Sequence, residues 1–136
     1  MNIPWFLFVP LCIPVISQAG TVIFTDAAHP PGNMLPEVKV IYLDAPRRLE
    51  RERFGNLPAN PEAAVLQARA IMASGDFPAW EKELLAAQKG VVLAWSLGVK
   101  KIPAVVFDER EVVYGTADVF YANALRTQWK ASGGER

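Results

Sequence analysis

The chain has 136 residues, and its 14 basic and 14 acidic side chains cancel, so no global field draws it to nucleic acid. Hydrophobic residues make up 51%, enough for the modest core of a single domain. The one cysteine, Cys12, excludes a disulfide framework.

Met1 to Ala19 has the pattern of a signal peptide. Ile3 to Ile16 is an apolar run of roughly 14 residues, short for a bilayer span. It is also interrupted by Pro4, Pro10 and Pro14. Ser17-Gln18-Ala19 offers small residues to a signal peptidase, which predicts cleavage between Ala19 and Gly20. The segment departs from the usual pattern in lacking Lys or Arg before the apolar run, and an uncleaved N-terminal anchor is the alternative. Cys12 lies inside this leader, and Val9-Pro10-Leu11 before it is a poor lipidation signal. The expected mature domain, Gly20 to Arg136, therefore carries no thiol. No run in it reaches membrane-spanning length, and Ala131 to Arg136 reads as a frayed tail.

Thr21 to Thr25 is β-branched and aromatic and predicts a buried strand. Asp26 to Glu37 is rich in Pro, Gly and Asn and predicts a loop. Val38 to Leu43 is the second strand, closed by Asp44 as a helix N-cap with Pro46 in the first turn. Arg47 to Phe54 predicts a short solvated helix ending at Gly55-Asn56. Its arginines, Arg47, Arg48, Arg51 and Arg53, alternate with Glu50 and Glu52, which argues against a nucleic-acid stripe.

Asn60-Pro61-Glu62 opens another helix with a cap, a first-turn proline and an early acid. Ala64, Val65, Ala68, Ile71 and Met72 fall on its expected inward face, and Ser74-Gly75 ends it. Asp76 caps a long helix whose apolar stripe is Trp80, Leu84, Val91 and Trp95, with Gly90 as a weak point. Gly98 terminates it. Ala104 to Phe107 and Val112 to Tyr114 are strands around the polar hairpin turn Asp108 to Glu111. Thr116 is the expected cap of a last helix, with Val119, Phe120, Ala124 and Leu125 inward. This order of elements predicts an α/β domain with helices packed on a sheet.

Trp95 to Asp108, then Val112 to Val119, resembles the C-terminal signature of small exported proteins of integrating conjugative elements. The start Thr21 to Thr25, and Leu57-Pro58 before a helix bearing Ala63, fit that family too. The resemblance implies a thioredoxin-like fold, a mixed central sheet of about four strands flanked by helices. It also implies periplasmic service to a conjugative type IV secretion apparatus, with other apparatus proteins as partners. More distantly, Ile102-Pro103-Ala104, the hairpin and Gly115 are similar to the segment after the second large helix of thioredoxins and periplasmic disulfide isomerases. In those proteins the proline is cis and lies beside a Cys-x-x-Cys pair. Here Asp26-Ala27-Ala28-His29 stands where that pair would be, so the redox activity does not carry over.

The expected function is therefore a non-catalytic adaptor or assembly component that needs no cofactor. The alternative is a chaperone-like binder of extended segments through the Pro103 face. Candidate partner-binding residues are Ile102, whose exposed backbone would pair with an extended chain, Pro103 beside it, and Trp129 as an exposed anchor. Equally, Pro103 would serve only to turn the chain into the next strand, and Trp129 only to pack under the last helix. Trp80 and Trp95 are assigned to the core. His29, the sole histidine, has neither the second ligand of a metal site nor an obvious nucleophile and is assigned to a surface loop. Asp108, Glu109 and Glu111 lack calcium-loop spacing, and Arg110 interrupts them. No small-molecule substrate is indicated. An oxidoreductase would need every cysteine from a partner.

Overall fold

The computed structural model describes residues 20–134; the proposed leader, and Ala19 of its cleavage site, lie outside them. Four strands and four helices follow one another as β1 (Thr21–Thr25), β2 (Lys39–Tyr42), α1 (Ala45–Phe54), α2 (Pro61–Met72), α3 (Phe77–Ser96), β3 (Ala104–Phe107), β4 (Glu111–Tyr114) and α4 (Val119–Ala131). The sheet order is β2-β1-β3-β4, with β1 parallel to β2 and the other neighbours antiparallel. This mixed α/β sheet flanked by helices is the expected thioredoxin-like fold.

Period-two alternation divides the core into two halves. Ile23, Val105 and Phe107 pack with Ala117, Val119 and Ala122 on the α4 side. Phe24, Ile41 and Val106 pack with Ala94 on the α3 side. All four residues of β3 are buried, and so are Ile23 and Phe24 of β1. Burial of each such large side chain contributes about 1.5–3 kcal/mol.

The helices meet the sheet differently from the sequence expectation. The inward line of α3 runs through Phe77, Trp80, Leu84, Ala87, Gly90, Ala94 and Leu97, so Val91 and Trp95 face out. Trp95 is 82% exposed. The reason is close approach: a Cβ on Gly90 would lie 2.7 Å from Ile41 Cγ2, so the helix axis settles over its smallest residues. Gly90 is a packing requirement rather than a weak point. Trp80 does pack as expected, edge-on to Phe54 at 5.6 Å and beside Phe77 at 5.2 Å. Arg53 pairs with Asp76 at 2.7 Å and completes the α1–α3 junction.

On α2, Ala64, Ala68 and Ile71 are half-buried, but Val65 and Met72 face solvent and nothing is fully buried. On α4, Val119 and Ala122 point inward, Leu125 is half-buried, and Phe120 and Ala124 are exposed. The cap of α4 is Asp118, which accepts from Tyr121 N–H at 3.1 Å; Thr116 instead accepts from Asp118 N–H. Asn60 caps α2 as its sequence predicts, accepting from Ala63 N–H at 3.0 Å. Asp44 and Asp76 occupy N-cap positions without capping bonds, their carboxylates being drawn to other partners. Glu111, assigned to the turn, belongs to β4 and pairs with Phe107 of β3.

Replacing Gly90 with Ala sets a helix-propensity gain of about 1 kcal/mol against overpacking of about 1–3 kcal/mol. Gly90→Ala should therefore lower stability in denaturant titration while Ile41 is present. In an Ile41→Ala background, with the opposing Cγ2 gone, the same change should raise it. The hairpin turn holds Asp108 at φ 54° and Glu109 at φ 56°, a conformation costly for residues with a Cβ. Glu109→Gly should raise stability by about 1 kcal/mol, measured by the shift in unfolding midpoint.

Candidate functional site

Three loops converge at one end of the sheet. The chain leaves β1 at Asp26 and β2 at Leu43-Asp44, and it enters antiparallel β3 through Ile102-Pro103. Between them and α3 lies an open groove of about 720 Å³. Leu43, Val91, Val92 and Ile102 make its apolar lining; Asp26, Asp44, Arg47 and Glu50 bring charge to it. Val92 is 62% exposed, and the exposed Trp95 lies one turn further along α3 from Val91 and Val92.

The Ile102–Pro103 peptide bond is cis, as the resemblance implies. Pro103 O accepts from Gly115 N–H at 2.9 Å, joining the β3 entry to the β4 exit. Tyr114 Oη accepts from Lys100 N–H at 3.3 Å and donates to Gly98 O at 3.5 Å, tethering the segment that leads to Ile102.

Asp26 to His29 is a turn rather than a helix start. His29 N–H donates to Asp26 O at 3.2 Å, and Asp26 Oδ1 accepts from the N–H groups of Ala28 and His29. His29 Nδ1 also lies 2.7 Å from Asp26 Oδ1. Beneath the turn, the buried Thr25 hydroxyl donates to His29 O. Asp44 Oδ2 accepts from Ala27 N–H at 3.3 Å and lies 3.5 Å from Arg48. Its Oδ1 is buried without a hydrogen-bond partner among the described residues, an arrangement that a donor on a bound chain would relieve.

Chemically, the site offers a carboxylate–imidazole pair with apolar surface beside it. A hydrolytic triad would need a hydroxyl or thiol at the far imidazole nitrogen. Thr25 is instead committed to the His29 carbonyl. No group of three or more potential metal ligands occurs among the described residues.

Trp129 lies elsewhere. It is 57% exposed and lines a second groove of about 590 Å³ between β4 and α4. The fold thus gathers Ile102 and Pro103 at one end but does not bring Trp129 to them. Sequence reading missed Val92 and Trp95 as surface residues. The available signal was Gly90 with Ala94, a small-residue pair that marks the inward face of α3.

The hydrogen bond from the His29 ring outweighs desolvation and holds the Asp26 carboxyl below its ordinary value. A depressed folded-state value makes this contribution present above the unfolded value near ~3.9 and lost as pH falls through the folded one. Carboxyl-detected NMR titration should therefore place the Asp26 midpoint below ~3.9. His29→Ala should move it upward; an unchanged midpoint would show that the pair does not form in solution.

A family model matches residues 18–132, that of the family described as "Protein of unknown function (DUF1525)". No curated protein and no solved structure matches. The family match runs from before β1 to just past α4 and so takes in the sheet and both grooves: the chain belongs to the DUF1525 family.

Proposed function

We propose that this protein is a non-catalytic, exported adaptor or assembly component of the conjugative type IV secretion apparatus of an integrating conjugative element. In this reading residues 1–19 are a cleaved leader and the domain works in the periplasm, held to other apparatus proteins by the groove beside Ile102 and Pro103. The observation that carries it is the content of that groove. Where a thioredoxin-like oxidoreductase needs a thiolate, this chain places the Asp26–His29 turn, and Cys12 is its only cysteine. Apolar side chains there, Val92 among them, with Trp95 one turn further along α3, provide the dry contact area of a protein-binding site.

The setting rests on the resemblance of Trp95 to Val119 to exported proteins of such elements. A second reading, a chaperone-like binder of extended chains, draws on Ile102 lining the groove and on the unpaired Asp44 Oδ1. Both readings use the same face and differ in selectivity.

Val92→Glu and Trp95→Ala lie on exposed helix surface and should change stability by no more than about 0.5 kcal/mol. Purified from a conjugating cell, the unaltered protein should bring down secretion-apparatus proteins encoded with it, and both variants should lose them. Equal recovery by the variants would contradict use of this face, while binding of many unfolded chains would favour the chaperone reading. Turnover by the purified protein in an insulin-reduction assay would contradict the non-catalytic assignment.

A further inference from the structure

We propose that the free edge of β4 is a docking site for a second copy of this chain, joining two four-stranded sheets across a two-fold axis at Val113. Among the described residues no strand lies beyond β4 in the sheet order. The β3–β4 register and the bond from Gly115 N–H to Pro103 O place Glu111, Val113 and Gly115 in the pairs facing β3. Antiparallel alternation then turns the N–H and C=O groups of Val112 and Tyr114 outward. These four groups are disposed symmetrically about Val113. Two antiparallel copies with Val113 opposite Val113 pair each Val112 with the partner's Tyr114, and every outward group is matched.

The side chains suit that register. Val113 packs half-buried against the α4-side core, and the adjoining groove sets Leu125 and Trp129 beside Arg110, Glu111 and Arg126, so the partner's Val113 would meet apolar side chains inside a charged rim. Glu111 would stand opposite the partner's Gly115, and its carboxylate is already held at 2.7 Å by both Arg126 and Lys130 of its own chain. No like charges meet directly across the new strand pair. The other sheet edge is different: Lys39 lies on β2 and Lys89 beside it in the same groove, charges of the kind that discourage strand addition. At the β4 edge the charges of Glu111, Arg126 and Lys130 are paired with one another.

Sedimentation equilibrium of the full chain tests this. Twice the chain mass should appear with a midpoint between about 1 and 100 µM, and Trp129→Glu should weaken association about tenfold. In the same range, amide exchange at Val112 and Tyr114 should slow about tenfold with rising concentration, while the β2 edge is unaffected. In a Cys12→Ser background, Val113→Cys should form a disulfide-linked dimer on mild oxidation, because non-hydrogen-bonded antiparallel pairs lie within disulfide reach. Val65→Cys, on exposed α2, should not. A single-chain mass up to about 1 mM, or a dimer without slowed exchange at Val112 and Tyr114, overturns the proposal. Should Val113→Cys fail to fold, mass and exchange of the unaltered chain decide it.

Discussion

The antiparallel pairing of β1 with β3 is the constraint on which the rest of the structure depends. Val22 faces Val106 and Phe24 faces Ala104 across it, and both strands lie inside the sheet. A slip of one residue would send Ile23 and Phe24 to opposite faces from those they now occupy. The register therefore fixes two half-cores at once, one under α3 and one under α4. It also sets Asp26, the residue after β1, at the same end as Ile102 and Pro103 before β3.

That end is where the proposed function resides. A sheet packed on both faces leaves its loop ends as the places where backbone and side chains remain free to meet a partner. No helix separates β1 from β2 here; residues 26–38 form a connection of turns and bends instead. Leu35 and Val38 pack it against the α4-side core, and Asn33 donates to Asp118, the cap of α4. The loop is thus anchored at a distance from the groove while its first turn, Asp26 to His29, borders it.

Much of this was legible in the sequence because each feature had a local cause. The strands Thr21–Thr25 and Ala104–Phe107 are short, apolar and β-branched, and Asn60-Pro61-Glu62 and Gly98 mark helix ends by their backbone chemistry. What was not legible came from tertiary packing. The stripe through Trp95 has helical spacing, but Gly90 and Ala94 allow α3 to approach β2 more closely and so win the inward position. On α4 the expected Val119 does point inward, but Ala122 takes the next inward place and Phe120 and Ala124 face out. The groove draws on Asp26, Asp44, Val92 and Ile102, far apart in the chain, so no local pattern announces it. The cis bond before Pro103 was expected only through resemblance.

Proton NMR distances across β1 and β3 test the account most directly. Ile23 and Val105 form a non-hydrogen-bonded pair in this register, with α-carbons about 4.5 Å apart. Strong cross-strand contacts between their α-protons, and between those of Thr21 and Phe107, are predicted. Contacts displaced by one residue, joining Phe24 to Val105, would contradict the division of the core and the placement of the groove built on it.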